Sequence, residues 1–192
     1  MDTTDSSVLN ELPGERVTTI FCPYDLREEW RVEGSMLPGQ WRVQYPGLFD
    51  DDDLRLADGP QRNNHFCEWF SAIYLFLRDG SRSLVEKYDT YEDHPRKHRS
   101  KIHQRKIAEY ESLVSDAQRK VLDEICIEYS VQLPDLFVIS ADARTFSFAE
   151  VKGPTDHTLN RLDQRGSRDA IRTRLKVPVE VIKVRLVKSV PV

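Results

Sequence analysis

Leu133-Pro134-Asp135-Leu136-Phe137-Val138-Ile139, a polar break at Ser140-Ala141-Asp142-Ala143-Arg144-Thr145, and Phe146-Ser147-Phe148-Ala149-Glu150-Val151-Lys152-Gly153-Pro154 form the stretch that decides the fold. Two runs rich in aromatic and β-branched residues, separated by short turn material, read as a β-hairpin. Side chains alternate between the faces of a strand, so Glu150 and Lys152 share one face while Ala149 and Val151 take the other. Hairpin pairing also brings Asp135, at the mouth of the first strand, beside Glu150. Two neighbouring carboxylates repel, and a divalent cation between them removes the repulsion. An isolated Glu-x-Lys is ordinarily an acid and a lysine pairing on a solvated strand edge. The residues around this one set it apart.

Those residues resemble the signature of the PD-(D/E)xK nuclease superfamily and, within it, the VRR-NUC family. There a Pro-Asp-Leu opens one strand and a Glu-Val-Lys-Gly-Pro-x-Asp block closes the next, as Pro134-Asp135-Leu136 and Glu150-Val151-Lys152-Gly153-Pro154-Thr155-Asp156 do here. The longer block is far more specific than a bare Glu-x-Lys. The resemblance continues through a polar, basic helix containing Gln164 to a final strand at Val177–Val184, and covers roughly residues 63–187. Leu133 stands where the family usually has glycine, and the tryptophan that usually follows the glutamine is missing. The resemblance implies an α/β fold with a restriction-endonuclease-like core, a central mixed sheet flanked by helices. It implies catalytic roles for Asp135, Glu150 and Lys152, a further metal-site glutamate on the first core helix matched by Glu68, and a supporting role for Gln164. Asp135, Glu150 and Glu68, with the Val151 carbonyl, would hold Mg²⁺ or Mn²⁺, which suit an all-oxygen donor set better than zinc does. The implied substrate is DNA, flapped or branched, in repair or recombination; restriction or anti-phage cleavage is a second enzyme reading. A non-catalytic nucleic-acid- or partner-binding module on the same fold is the reading from another class. Related stand-alone nucleases acting as dimers imply a homodimer.

Composition is compatible with such a protein once the chain is divided. The formal net charge is −4, yet residues 1–60 carry 13 acids and 5 bases while residues 61–192 carry 19 acids and 23 bases. Phosphate binding depends on a local patch rather than on total charge. No apolar run approaches the roughly 18 residues that span a bilayer, and no secretory leader is visible, so the expectation is a soluble intracellular protein, cytoplasmic or nuclear. Cys22, Cys67 and Cys126 are odd in number and lack Cys-x-x-Cys spacing, which suggests neither a disulfide framework nor a zinc site. They read as small buried hydrophobes.

Two regions follow along the chain: an acidic extension over residues 1–62, and the nuclease-like region over 63–192. In the first, Val17–Cys22 and Gln40–Tyr45 read as short strands in an irregular layer packed by Trp30 and Trp41, a surface through which a protein partner could bind. Asp50–Asp53 is a candidate cation site but reads more readily as a solvated acidic loop, since four consecutive acids cannot all face one ion. The second region opens with an apolar helix, Phe66–Leu77, whose only carboxylate is Glu68, ending at Asp79-Gly80. His94–Lys106 then holds six lysines and arginines and no acid. Its Arg96, Lys97, Arg99, Lys101, Arg105 and Lys106 are candidate phosphate contacts by charge density. From Ile107 to Tyr129, apolar residues recur at intervals of three and four, marking one amphipathic helix against the sheet. Beyond the hairpin, Arg161, Arg165, Arg168 and Arg172 line one helical face provided Gly166 does not interrupt it. That stripe would suit a DNA backbone.

Overall fold

The computed structural model describes residues 15–45, 47–49, 65–85, 88, 104–155 and 162–188. Its centre is a five-stranded mixed sheet in the order β1-β5-β4-β3-β2. The strands are β1 (Arg16–Pro23), β2 (Arg82–Val85), β3 (Leu136–Ile139), β4 (Phe146–Lys152) and β5 (Val179–Val187). β1, β5 and β4 run parallel, while β3 is antiparallel to both β4 and β2. The α/β architecture with a mixed sheet between helices is therefore as the sequence implies.

The hairpin is closed by its turn residues. Ser140 N–H donates to the Thr145 carbonyl at 3.0 Å, and Asp142 Oδ1 accepts from the Ser140 hydroxyl at 2.7 Å and the Arg144 amide at 3.1 Å. These bonds hold the exposed Asp142 carboxyl below the usual carboxylate range, with the Ser140 hydroxyl the main cause.

Strand alternation sorts the core into two layers. On one face α1 (Tyr24–Arg31), α2 (Leu37–Gln44) and α3 (Phe66–Asp79) cover Ile20, Leu136, Val138, Ala149, Val151 and Ile182. Aromatic rings dominate there: Trp30 lies 5.1 Å from Trp41, and Phe49 stacks on Trp69 at 4.6 Å between centroids. On the other face α4 (Gln104–Leu113), α5 (Asp116–Tyr129), α6 (Leu162–Ala170) and a π-helical turn (Ile171–Leu175) accompany a core that includes Phe137, Ile139, Phe148, Val179, Leu122, Ile125 and Ile171. α3 stops where expected, because Gly80 adopts a left-handed φ of 75° and returns its N–H to the Phe76 carbonyl at 2.9 Å.

Three expectations need correction. Gln40–Tyr45 lies mostly in helix α2, with Pro38 in its first turn and Leu37 and Trp41, one turn apart, buried. Val17–Cys22 is a strand, but it is the edge strand of the central sheet beside β5 rather than part of a separate irregular layer. The helix expected over Ile107–Tyr129 is two helices, divided by a reciprocal capping box in which Ser115 Oγ accepts from the Gln118 amide and Gln118 Oε1 accepts from the Ser115 amide. Trp30 and Trp41 do pack together, and no disulfide forms. Cys22 and Cys126 are buried, and Cys67 is partly so. Burial pushes the Cys22 thiol up to about 11 despite the nearby Arg27 charge, so it is a neutral core group. No helix among the described residues is long and apolar enough to cross a membrane.

Candidate active site

β4 is the strand on which the site is built. Ala149 and Val151 enter the tryptophan-rich core, so Glu150 and Lys152 face the opposite side, in line with Phe148. Both are charged residues in a core strand, with exposures of only 8% and 5%. They answer one another: Lys152 Nζ lies 2.6 Å from Glu150 Oε1. The ammonium also donates to Gln164 Oε1 at 3.1 Å, so a side chain of α6 joins the pair from above the sheet.

Asp135 reaches the same place through the register of the hairpin. Leu136 is the partner of Ala149, and one residue earlier the side chain of Asp135 takes over from the ladder: its Oδ2 accepts the Val151 amide at 2.7 Å. The carboxylate thus lies across the strand from Glu150, with one oxygen committed to the backbone of the residue between Glu150 and Lys152. Lys152 joins Glu150 and Gln164 by hydrogen bonds, and Asp135 is tied to the same stretch of β4 through the Val151 amide.

Glu68 arrives differently. It lies in the first turn of α3, on the other face of the sheet, where an acid is favoured by the helix dipole. A Cβ built on Gly153 would stand 3.4 Å from Cys67 Sγ, so this turn borders the end of β4 immediately after Lys152. Glu68 therefore shares the end of the strand with the other acids but not their face.

The donor set suits a hard cation. Among the described residues no three His, Cys, Asp or Glu side chains converge into a ready-made cage. Mg²⁺ does not require one, since it keeps several waters and is held by one or two carboxylates together with substrate phosphates. Asp135 and Glu150 on adjacent strands and the Val151 carbonyl are the oxygen donors that would be offered to such an ion.

The basic candidates divide sharply. Arg96, Lys97, Arg99, Lys101 and Arg161 lie outside the described residues, as do Asp50–Asp53. Lys106 is not a surface group: it is buried, and its ammonium donates to the Val85 carbonyl at 2.9 Å. Arg168 is likewise buried and bonded to Glu15 at 2.6 Å. These two leave the set of phosphate contacts because a cation turned into the protein offers nothing to DNA. Arg105 bonds Glu109 at 2.7 Å and Arg172 bonds Asp169 at 2.9 Å, while Arg165 is exposed. Gly166 does not interrupt α6. A Cβ there would meet the Tyr129 ring, so glycine lets α6 lie close to α5.

One neighbour of the site escaped the sequence reading. Lys183 on β5 is the register partner of Lys152 and points to the same side. Its signal is the alternation Val179-Glu180-Val181-Ile182-Lys183-Val184-Arg185, which places Lys183 and Arg185 on one face.

No family model matches the chain, and no curated protein matches it. Among solved structures, it is similar to the crystal structure of paFAN1 bound to 2-nt 5′-flap DNA with a gap, at 17% identity and a TM-score of 0.37. The likeness covers 86% of this chain and 31% of that one.

Proposed function

We propose that this chain is a metal-dependent DNA nuclease that hydrolyses phosphodiester bonds, acting on flapped or branched DNA of the kind met in repair and recombination. The observation that carries the reading is the buried Glu150–Lys152 pair, capped by Gln164 and set across the hairpin from Asp135. A buried ion pair is rarely the most stable occupant of a core strand, since apolar residues of similar volume usually do as well or better. A catalytic role would account for its presence at the end of β4, and the VRR-NUC-like block around it supports phosphodiester hydrolysis as that role.

Asp135 and Glu150, with the Val151 carbonyl, would hold Mg²⁺ or Mn²⁺, and Glu68 would reach the same ion or its water shell from the first turn of α3. The bound ion supplies an acidified water and a Lewis acid for the phosphate. Lys152 holds the attacking water by hydrogen bonding and offsets charge growing on the non-bridging oxygens, a task suited to a compact ammonium. Gln164 fixes that ammonium. Hydrolysis joins the water oxygen to phosphorus and breaks one ester P–O bond, leaving a phosphate monoester and a hydroxyl.

The test is cleavage of labelled single-stranded, duplex, flap, splayed and four-way DNA with Mg²⁺ or Mn²⁺. Lys152→Ala and Glu150→Gln should each lower the rate by about 100-fold or more, with circular dichroism confirming that the variants fold. Cleavage unaffected in both variants, or a folded wild type that cuts nothing, would overturn the reading in favour of a binding module.

A further inference from the structure

The face of the sheet that carries Glu150 and Lys152 does not end at β4. Parallel pairing carries it across β5 to the edge strand β1, row by row: Lys152 beside Lys183 beside Thr19, then Arg185 beside Phe21. Near β4 this face is covered, as the burial of Val179 and Val181 shows, but beyond it opens. Val17, Thr19 and Arg185 are exposed and Lys183 is half-exposed. Phe21, an aromatic ring on a strand, is 65% exposed.

The charges on this face have one sign. β1 contains no acid and β5 contains only Glu180, which points to the opposite face, where it accepts from Arg78 at 2.9 Å and from Thr18 at 2.5 Å. Among the described residues most other arginines are neutralised: Arg16, Arg78, Arg82, Arg105, Arg119, Arg168, Arg172 and Arg174 all have carboxylate partners. Lys183 and Arg185 have no carboxylate partner among the described residues. Neighbouring strands are about 4.8 Å apart and alternate residues about 6.6 Å. Lys183 and then Arg185 and Phe21 therefore continue outward from the active-site lysine in short steps.

We propose that this open face of β5 and β1 is the track for a single-stranded segment of the nucleic acid, with Lys183 and Arg185 contacting phosphates and a base stacking on Phe21. The proposal rests on the nuclease reading for what lies at its inner end, and it names the form of substrate that passes there. An exposed ring flanked by unneutralised cations is the arrangement that holds single strands, because every base has a face to stack and the backbone supplies the charge. A second copy of the chain is the poorer occupant, since a two-fold contact would bring the same cations towards one another.

The test is binding of a fluorescein-labelled single strand in EDTA, followed by anisotropy over a range of salt, so that affinity is read without turnover. Lys183→Glu with Arg185→Glu should weaken binding at least tenfold and lower the salt slope by about 0.7 for each phosphate that is no longer neutralised. Phe21→Ala should weaken it roughly tenfold and leave the slope unchanged. Arg144→Glu, in the exposed hairpin turn at the far end of β4, is the control and should bind as wild type. Lys183→Gln with Arg185→Gln should fall between, which guards against a charge reversal that disturbs the strand. Wild-type affinity in the β1 and β5 variants would overturn the track, as would sedimentation showing that Phe21→Ala turns a dimer into a monomer. The two readings fail separately. A wild type that cleaves while these variants bind normally loses the track and keeps the nuclease; one that binds through these residues without cleaving loses the nuclease and keeps the track.

Discussion

One face of the central sheet is packed by α1, α2 and α3 with Trp30, Trp41, Phe66 and Trp69, and among the described residues its ion pair, Arg78–Glu180, is only partly buried. The other face carries an aromatic core of its own but interrupts it, at the end of β4, with a carboxylate, an ammonium and an amide joined by hydrogen bonds of 2.6 and 3.1 Å. Both faces belong to the same strand, one residue out of phase. The first is arranged for burial, and the second gives up burial at one point. Removing a side chain should therefore have different consequences on the two sides.

The largest effects are expected from the two centres. Trp30, 1% exposed and in ring contact with Trp41, Phe66 and Trp69, should cost about 3–5 kcal/mol when cut to alanine. The measurement is the urea midpoint at an unchanged m-value. Lys152→Met should cost about as much, roughly 3–5 kcal/mol, because it leaves Glu150 buried without its ammonium. The comparison then sharpens: Glu150→Leu combined with Lys152→Met should recover wild-type stability or exceed it, with no cleavage, whereas no second substitution near Trp30 can refill that cavity so simply. A double variant as unstable as the single one would make the pair part of the fold's support and break the distinction between the faces.

The centre of the site was legible because its information is local. Period-two alternation places Glu150 and Lys152 together, and the turn residues Ser140 to Thr145 set the register that delivers Asp135. The edge of the sheet was not legible, since β1 and β5 are more than 150 residues apart and nothing in Val17–Cys22 names its partner. Gln40–Tyr45 was misread because a six-residue window missed the helix-starting Leu37-Pro38. The division at Ser115 was visible as Ser-Asp-Ala-Gln, yet the apolar spacing running through it concealed the cap. Lys106 and Arg168 show the limit of counting charges: composition says how many cations a segment has, not which of them turn inward.

A middle-sized effect tests how the site face is held together. Gly166 lies within α6, where alanine ordinarily gains about 1 kcal/mol over glycine in an exposed helix interior. Here a Cβ would run into the Tyr129 ring at Cε1, so α5 and α6 must shift apart or the ring must move. Gly166→Ala should destabilise by about 1–3 kcal/mol, the usual range for overpacking. It should also reduce cleavage, because α6 carries Gln164. With Tyr129→Ser the sign should reverse and the alanine should stabilise by up to about 1 kcal/mol. Destabilisation in both backgrounds would mean that the glycine is required for something other than room.

The smallest expected effect lies at the rim of the tryptophan face, where α3 ends in the pair Arg78–Asp79. Burial alone would raise the Asp79 carboxyl, but hydrogen bonds from Ser81 and Arg78 outweigh it and hold the group below the usual carboxylate range. A carboxyl lowered in the folded state contributes stability that is fully present above its unfolded value, about 3.9, and disappears as pH falls through the lower folded value. Asp79 is well exposed, so solvent screens much of this contribution and the effect is modest. Urea midpoints measured from pH 6 down to pH 2.5 should fall more steeply for wild type than for Asp79→Asn, the gap between the two curves holding steady above about pH 4 and closing below it. Parallel curves throughout would mean that the acid sensitivity of the fold resides elsewhere.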